Sequence, residues 1–495
     1  MYECGTPEDV GPADPLVRSA PVNGGLRPAD PPRIFRQIHH RSLGRSTTTA
    51  SADLPRRYRQ IYHRSGHSAY SELVDVDELT LYPRRVEVMA LEALTDTRVV
   101  VINGARQVGK STLAKAIVRR SPGAREIYLD EAAVRSAARN DPDGVVRHDG
   151  LLLIDEIQRV PELLLSIKRV VDADPRPGRF LLTGSARLLG LRDLPDALPG
   201  RSETIELWPL SQGEIERSPD GFVDAAFQEG PDLKVPRTRL RRADYVDRAL
   251  RGGYPEAVHR PTHRRRARFF ESYISDLINR DVRQVSDIER PADMRRLLNV
   301  LCGRMGGLAV IDSIGRDLGL PHTTTKRYVD LLELVYVIRR IPAWSSNATT
   351  RAIATPKLLV VDSGLGAHLA GLTPARAADF TAPVGPLLEN FALGELARQL
   401  TWTEEPVRLY HYRDRDGVEV DGVLERASGE IIGIEVKAAE TVRGEDFQGL
   451  RKLARKLGDR LIAGYVLYAG PEALPFGDRM RALPISALWE VGPEA

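Results

Sequence analysis

The sequence predicts an α/β protein made of a parallel-sheet domain, a helical middle region and a second α/β unit towards the C-terminal end. Three observations predict this class. Short apolar runs alternate with helical segments between residues 98 and 207, helical patterns fill the region from about 240 to 340, and strand patterns return after residue 356. Apolar strands that alternate with helices indicate a parallel sheet covered on both faces. A chain of 495 residues is expected to contain two to four domains.

The composition is that of an ordinary globular protein. Apolar residues make up 42% and charged residues 28% of the chain. It has no run of eighteen apolar residues and no compact apolar segment at its start, so neither a membrane helix nor secretion is expected. Cys4 and Cys302 are too few for a disulfide framework or a Cys-rich zinc site, which fits a cytoplasmic location. The net charge of +3 does not indicate a nucleic-acid partner.

Residues 1–75 are predicted to be a disordered basic arm. They are rich in Pro, Gly, Ser, Thr and Arg and lack apolar periodicity. Eight arginines lie between Arg33 and Arg64, and such an arm could bind nucleic acid. A tail from an upstream duplication or a mis-set translation start is the other interpretation, because RQIHHRS (36–42) nearly recurs as RQIYHRS (59–65).

Residues 79–215 are predicted to form the parallel-sheet domain. Its strands are short apolar runs, and its helices place apolar residues on one face. The predicted strands are RVVVIN (98–103), REIYLD (125–130), GLLLIDE (150–156), RFLLTGS (179–185) and SETIEL (202–207), and the clearest helices are STLAKAIVRR (111–120) and PELLLSIKRVVDA (161–173).

The sequence GARQVGKST matches the phosphate-loop pattern G-x-x-x-x-G-K-S/T in full, after a predicted strand and at the start of a predicted helix. Backbone N–H groups of the loop and the helix dipole would hold phosphates. Lys110 would reach the β- and γ-phosphates of a nucleotide, and the Ser111 hydroxyl would bind Mg²⁺. The predicted nucleotide-binding residues of this loop are Gly104, Ala105, Arg106, Gln107, Val108, Gly109, Lys110, Ser111 and Thr112.

Polar residues at the ends of two further strands complete the predicted nucleotide site. In LLLIDE, Asp155 ends a buried strand and would enter the Mg²⁺ shell, and Glu156 would orient or deprotonate the attacking water. A solvated loop edge is the alternative explanation for two adjacent carboxylates. In LLTGS, Thr183 and Ser185 are predicted to sense the γ-phosphate. ATP hydrolysis with Mg²⁺ is therefore expected.

Three arginines after the fourth strand are candidates for an arginine finger, which stabilises transition-state charge in cis or across a subunit contact. They are Arg187, Arg192 and Arg201. Arg201, in LPGRS, is the preferred candidate. Arginine is also a common surface residue, so each of the three can equally be inert.

Residues 216–345 are predicted to be helical and to end in a winged helix. The segment from Ile311 to Ile341 contains two apolar-patterned helices separated by a Leu-Gly-Leu turn. Such a module either contacts DNA or mediates self-association. The basic residues that could reach DNA phosphates are Lys326, Arg327, Arg339 and Arg340.

Residues 350–490 are predicted to form the second α/β unit, whose clearest element is a β-hairpin from Gly417 to Ala438. Asp421 lies in its first strand. Glu435 and Lys437 are two residues apart in its second strand, so they project from the same face. Three interpretations are open: a metal-dependent cleavage centre, the remnant of one, or a solvated sheet face.

From Leu79 to Trp489 the chain resembles the AAA-type P-loop ATPases of bacteria and archaea that carry a nuclease-like C-terminal domain and are mostly uncharacterised. The resemblance rests on ordered motifs, among them GARQVGKSTL, LLLIDEIQRVPEL, LPGRSETIELWPLSQGE, LGLPHTTTKRYVDLLE, GPLLENFALGEL and IGIEVKA. It implies ATP binding at residues 104–112 and a winged helix at residues 290–345. The chain departs from the family in its long basic arm and at Gly422, where an aromatic residue is usual and a glycine would loosen the hairpin.

The resemblance also implies that the C-terminal domain has the PD-(D/E)xK nuclease fold, in which carboxylates bind Mg²⁺ or Mn²⁺. Asp421 and Glu435 would be metal ligands, and Glu389 in LLENF would be a ligand from a helix. Lys437 would contact the water or the phosphate, and Gln448 is a further candidate. A shared fold does not by itself imply cleavage.

Two functions remain open from the sequence. In the first, ATP hydrolysis with Mg²⁺ is coupled to a nuclease-like domain that binds DNA or RNA. In the second, the nucleotide state controls protein partners as a switch or scaffold, and the nuclease-like domain is catalytically silent. Self-association is compatible with either function, and no membrane partner is expected.

Overall fold

The computed structural model describes residues 82–185, 198–282, 291–379 and 382–492. The predicted basic arm (1–75) and the candidates Arg187 and Arg192 lie outside these ranges. Within them, no helix has the length and apolar character needed to cross a membrane.

Five strands form the first sheet: β1 (Val99–Gly104), β2 (Arg125–Tyr128), β3 (Leu152–Asp155), β4 (Phe180–Gly184) and β5 (Ser202–Leu207). They lie in the order β2-β3-β4-β1-β5, and every neighbouring pair is parallel. In β1, Val100 and Ile102 pack into the core on one face of the sheet, and Val99 and Val101 pack into the core on the other. The apolar sequence of the strand is therefore explained by burial on both sides, and the predicted parallel sheet is confirmed.

Helices cover both faces of this sheet: α1 (Val86–Asp96), α2 (Lys110–Arg119), α3 (Ala132–Asn140), α4 (Pro142–Val146) and α5 (Leu163–Ala173). Helix α5 shows the underlying pattern, because Leu163, Leu164, Ile167 and Val171 form one buried stripe. The helices predicted at 111–120 and 161–173 are found as α2 and α5, and each begins within two residues of its predicted start.

Helices dominate the region after the first sheet: α6 (Gln212–Glu216), α7 (Phe222–Glu229), α8 (Arg242–Arg251), α9 (Pro255–Val258), α10 (His263–Asp276), α11 (Pro291–Gly303), α12 (Ile311–Leu318) and α13 (His322–Leu334). Gly319, at φ 67°, allows the turn between α12 and α13. Two antiparallel strands follow, β6 (Ile338–Ile341) and β7 (Lys357–Val360), with α14 (Ala348–Ile353) between them. The pairing of β6 with β7 crosses residue 345, where the sequence predicted a domain boundary.

Basic residues predicted to contact DNA in this region are engaged by protein carboxylates. Lys326 Nζ lies 2.8 Å from Asp330 Oδ2, and Arg339 Nη1 lies 2.7 Å from Glu206 Oε1. Arg340 pairs with two carboxylates of α13. Contact with DNA phosphates through these side chains would require these ion pairs to open, and the winged-helix function remains a prediction.

The C-terminal domain is built on a mixed six-stranded sheet: β8 (Val407–Arg413), β9 (Glu419–Arg426), β10 (Ile431–Lys437), β11 (Leu461–Tyr468), β12 (Leu474–Pro475) and β13 (Met480–Pro484). The strands lie in the order β12-β13-β11-β10-β9-β8. Neighbours are antiparallel from β8 to β10 and parallel from β10 through β11 to β13. The predicted hairpin is formed by β9 and β10.

Five helices complete the domain: α15 (Ser363–Leu369), α16 (Pro374–Ala377), α17 (Val384–Gln399), α18 (Gln448–Leu457) and α19 (Ala487–Glu490). Helix α17 is central, because every residue from Asn390 to Gln399 is buried. Gly422 lies against this helix, where an added Cβ would meet Leu393 Cδ2 at 3.1 Å and Ile434 Cβ at 3.3 Å. Side chains therefore pack closely around Gly422, and the effect of this glycine on the hairpin remains a prediction.

Candidate functional sites

The loop between β1 and α2 has the backbone geometry of a phosphate-binding loop. Gly104 is required because an added Cβ would lie 2.2 Å from the carbonyl oxygen of Leu207. Gly109, which precedes α2, has a φ of 97° that favours glycine. Gln107 has a φ of 62° although it carries a side chain, a conformation found mainly at turns and functional sites. The first N–H groups of α2 have no acceptors within the helix and are suited to binding an anion.

Lys110 extends into this loop. Its ammonium group donates hydrogen bonds to the carbonyl oxygens of Gly104 at 3.1 Å and Ala105 at 2.9 Å, and the residue is 5% exposed. A buried positive charge at the start of a helix attracts phosphate groups. The geometry fits the predicted contact between Lys110 and the phosphates of a nucleotide.

The end of β3 lies beside the start of α2. Ser111 Oγ is 2.9 Å from Asp155 Oδ1 and 3.0 Å from Asp155 Oδ2. Hydroxyl and carboxylate oxygens are ligands that Mg²⁺ prefers, so this pair fits the predicted metal site. Thr183, at the end of β4, donates to Asp155 Oδ1 at 2.5 Å and accepts from the Glu156 N–H at 3.0 Å. Thr183 therefore positions the two acids, and its contact with the γ-phosphate remains a prediction.

Glu156 is held in place by residues that the sequence analysis did not connect with it. Its backbone is left-handed, with φ 59°. Gln158 Nε2 donates to its carboxylate and also to Ser185 Oγ at 2.9 Å. The sequence did not reveal that Gln158 holds Glu156, because its position two residues after Glu156 is the only signal for this role. The predicted Ser185 also donates directly to Glu156 Oε2 at 3.5 Å.

Arg201 does not lie near the phosphate-binding loop of its own chain. In the parallel pairing of β1 with β5, Ser202 lies opposite Val99 and Leu207 lies opposite Gly104. Arg201 is therefore at the other edge of the sheet, separated from the loop by roughly 17 Å, since a strand rises about 3.3 Å per residue. A role in cis is excluded by this placement, and a contact across subunits remains a prediction.

The residues that meet beside the phosphate-binding loop can bind ATP and support its hydrolysis. Mg²⁺, when bound with the nucleotide, neutralises charge on the phosphates. Ser111 and Asp155 would hold that ion, while Lys110 and the loop N–H groups bind the phosphates. Glu156 would orient a water molecule and accept its proton.

A second group of charged residues lies in the C-terminal domain. Glu389 from α17, Asp421 from β9, and Glu435 and Lys437 from β10 come together as predicted, and the structure adds Lys357 from β7. We call these five residues the acidic cluster. Gln448 is exposed at the start of α18.

Lys357 lies between two of the carboxylates. Its Nζ is 2.5 Å from Glu389 Oε1 and 2.9 Å from Asp421 Oδ1. The other oxygen of Asp421 accepts a hydrogen bond from the Val436 N–H at 3.0 Å. Lys437 Nζ is 2.8 Å from Glu435 Oε1. Each carboxylate of the acidic cluster is therefore paired with an ammonium group of the protein.

Burial dominates the electrostatics of the acidic cluster. It raises the pKa of Glu389 to about 8, with Asp421 adding to the rise and Lys357 opposing it. Burial likewise raises the pKa of Glu435 to about 7, with Lys437 as the opposing charge. Burial acts to lower the pKa of Lys357, but the charges of Asp421 and Glu389 raise it overall.

The acidic cluster does not fit the metal site that the sequence predicted. Among the described residues, no group of three or more His, Cys, Asp or Glu side chains is arranged to hold a metal ion. The physical reason at Glu389 and Asp421 is the ammonium group of Lys357, which contacts both carboxylates at hydrogen-bonding distance. Three carboxylates are present, but their arrangement is that of ion pairs.

Comparisons with known protein families match the first domain to an AAA domain and match the later regions to domains of unknown function. A family model described as an AAA domain matches residues 96–216. Models described as domains of unknown function match residues 242–376 and 384–488. The uncharacterized protein Rv2008c of Mycobacterium tuberculosis is 29% identical over 405 residues, which are 81% of this chain and 83% of that protein.

Solved structures that are similar to part of this chain include proteins named as an ATPase and as a branch migration motor. The Walker-type ATPase PABY2304 of Pyrococcus abyssi is 16% identical with a TM-score of 0.37, over 58% of this chain and 96% of that one. The RuvB Holliday junction branch migration motor of Thermotoga maritima is 21% identical with a TM-score of 0.27, over 54% and 92% of the two chains. The AAA match spans the strands, the loop and the acid pair described above, so residues 96–216 are similar to an AAA domain, and their P-loop geometry fits ATP binding and hydrolysis.

Proposed function

We propose that the nucleotide state of the P-loop controls the C-terminal domain, so that the protein is an ATP-dependent switch whose nuclease-like C-terminal domain binds nucleic acid. The observation that carries this proposal is that the P-loop and helix α17 are both hydrogen-bonded to one segment, residues 208–214. Arg84 links this segment to the P-loop, and Glu395 and Arg398 link it to α17.

Arg84 forms the first link. Its guanidinium group donates to the carbonyl oxygens of Val108 in the P-loop at 2.7 Å and of Trp208 at 2.6 Å, and to Glu214 Oε1 at 3.1 Å. The side chain is only 10% exposed. Because a guanidinium group is planar and rigid, a shift of Val108 on nucleotide binding would be transmitted to the segment from Trp208 to Glu214.

Glu395 and Arg398 of α17 form the second link. The Gln212 N–H donates to Glu395 Oε2 at 2.9 Å, and Arg398 Nε donates to the carbonyl oxygen of Pro209 at 3.0 Å. Arg398 Nη1 is 3.1 Å from Glu395 Oε1. Burial raises the pKa of Glu395 to about 6, with Arg398 opposing the rise. Buried charges in such a network must move together, because breaking one pair leaves an uncompensated charge.

Helix α17 carries any such movement into the C-terminal domain. Glu389 lies on the same helix and joins the acidic cluster, and Leu393 packs against Gly422 of the hairpin. The Gly253 N–H donates to Asp362 Oδ2 at 2.7 Å and adds a second link between the middle region and this domain.

Helix α18 supports nucleic acid as the partner in preference to a protein. Its sequence QGLRKLARKL contains four basic residues and no acidic residue, and its apolar residues Leu450 and Leu453 are buried. Arg455 and Lys456 are exposed on this helix, and exposed basic side chains are suited to the phosphates of DNA or RNA. Cleavage of that nucleic acid would need a metal site, which the acidic cluster does not provide as arranged.

The substitution Arg398→Lys tests the switch. Lysine keeps the positive charge but cannot bond to Pro209 and Glu395 through one planar fork. Coupling between two sites is reciprocal, so we expect the affinity of the P-loop for a non-hydrolysable ATP analogue to change by about fivefold or more, measured by isothermal titration calorimetry. Arg408→Lys is the matched control, because Arg408 is an exposed arginine of the same domain. A folded Arg398→Lys protein with unaltered nucleotide affinity would contradict the proposal.

A further inference from the structure

We propose that Lys357 is a permanent internal cation of the acidic cluster and takes the place that the nuclease-like fold implies for Mg²⁺ or Mn²⁺. The C-terminal domain then binds its partner without metal-dependent cleavage at this cluster. The proposal starts from a disagreement between the implied metal and the residues that are present.

The ammonium group lies where a metal ion would compete with it. Lys357 Nζ is 2.5 Å from Glu389 Oε1 and 2.9 Å from Asp421 Oδ1, and the residue is 3% exposed. Mg²⁺, Mn²⁺ or Ca²⁺ binds carboxylate oxygens at roughly 2.0–2.6 Å. An ion on these two oxygens would lie against the ammonium group, and the two positive charges would repel each other in a poorly solvated site. Lysine and metal are therefore alternatives at this position.

The backbone of Lys357 gives the side chain little freedom to withdraw. The residue begins β7, where it pairs with Ile341 of β6, and it forms a further bridge with Leu308. The next residue, Leu358, donates its N–H to the carbonyl oxygen of Gly307 at 2.8 Å. Lys357 is thus fixed between two backbone partners and does not belong to a loop that could move aside.

The carboxylate of Glu389 also lies against a glycine. An added Cβ at Gly306 would lie 3.2 Å from the Glu389 carboxylate. Gly306 has φ 76°, which favours glycine, and its N–H donates to the carbonyl oxygen of Leu358 at 3.1 Å. The segment that contacts Lys357 therefore also encloses its carboxylate partner.

The charges of the acidic cluster nearly balance without a metal ion. Glu389, Asp421 and Glu435 contribute three negative charges when ionised, and Lys357 and Lys437 contribute two positive charges. Glu435 Oε2 is the cluster oxygen that is buried without a hydrogen-bond partner among the described residues. One residual negative charge is too little to offset a divalent ion that also meets two ammonium groups.

The test is Mn²⁺ binding by full-length, nucleotide-free protein that carries Asp155→Asn to remove the P-loop carboxylate. Electron paramagnetic resonance counts the bound ions. We expect no bound Mn²⁺ while Lys357 is intact. Adding Lys357→Met, which keeps most of the length of the side chain and removes the charge, should create one Mn²⁺ site with an affinity at least tenfold above any residual binding seen while Lys357 is intact. Mn²⁺ should then raise the Tm. A further Asp421→Asn substitution should abolish both effects.

Two control variants and three contrary outcomes make the test decisive. Lys357→Arg keeps the charge and should bind no Mn²⁺. Lys452→Met removes a lysine that pairs with Asp414 and Asp416 outside the acidic cluster, and it should likewise create no Mn²⁺ site. Mn²⁺ binding that is sensitive to Asp421→Asn while Lys357 is intact would overturn the proposal, as would no gain of binding in Lys357→Met. If Lys357→Met does not fold in metal-free buffer, Mn²⁺ should restore folding, and failure to do so counts against the proposal.

Discussion

Glu156 is the residue around which the ATPase site is organised. Its backbone has φ 59°, a conformation that costs a residue other than glycine about 1 kcal/mol or more. Thr183 fixes its N–H, and Gln158 fixes its carboxylate. Several groups thus hold one carboxylate in a strained position at the end of β3, beside the residues that would bind Mg²⁺. This arrangement suits a residue that orients a water molecule.

Glu156→Gln is expected to lower the kcat of ATP hydrolysis about 100-fold or more, because proton acceptance by a positioned base contributes roughly 10²–10⁴-fold. Nucleotide affinity should change little, since Lys110 and the loop remain intact. A coupled ATPase assay and calorimetry measure the two quantities. Glu162→Gln serves as the control, because Glu162 is an exposed acid just before α5. A kcat within threefold of the unsubstituted protein would show that Glu156 is not the base.

At the scale of elements, helix α18 has buried apolar residues and an exposed basic residue at different positions. Leu450 and Leu453 anchor it on the sheet of the C-terminal domain, while Arg455 is exposed. Lysine and arginine on an exposed face contribute little to stability. Lys452 pairs with Asp414 and Asp416, so the exposed Arg455 is the better candidate for contact with an anionic partner.

Arg455→Gln is expected to weaken binding of DNA or RNA about threefold to tenfold, with no dependence on base sequence, because one phosphate contact is lost. The slope of log affinity against log salt should fall by about one. Fluorescence anisotropy with labelled single- and double-stranded DNA and RNA gives both values. Arg408→Gln, an exposed arginine on β8, is the control. Equal losses in both variants, or no binding by the unsubstituted protein, would argue for a protein partner.

At the scale of the whole molecule, local chemistry was predictable from sequence and long-range contacts were not. The phosphate loop, the acid pair and the hairpin are each contained in a short segment, so spacing and periodicity reveal them. Arg84 contacts Glu214 across 130 positions, and Lys357 contacts Asp421 across 64. Nothing in the flanking residues marks either basic side chain as special. The contact of Lys357 with the predicted metal ligands could not be read from the sequence for this reason, because Lys357 lies outside the hairpin that suggested the site.

Long-range contacts of this kind also connect the P-loop to the C-terminal domain. Arg84 connects Val108 of the P-loop to Glu214 in the segment 208–214. Arg398 donates to the carbonyl oxygen of Pro209 in the same segment. Arg398 belongs to a helix with no solvent-exposed residue from Asn390 onwards. Tightly packed elements respond to a small displacement by shifting as units, which is the physical basis for expecting α17 to respond to ATP.

Hydrogen–deuterium exchange of residues 384–399, with and without ATP, is the most direct test of the switch. Glu156→Gln protein keeps ATP bound during the measurement. We predict that ATP changes the exchange of α17, and that Arg84→Lys removes this change while ATP still binds, because lysine cannot contact Val108, Trp208 and Glu214 together. Arg120→Lys, at an exposed arginine that pairs with Glu87 on α1, should leave the response intact. Identical exchange of α17 with and without ATP would contradict the account.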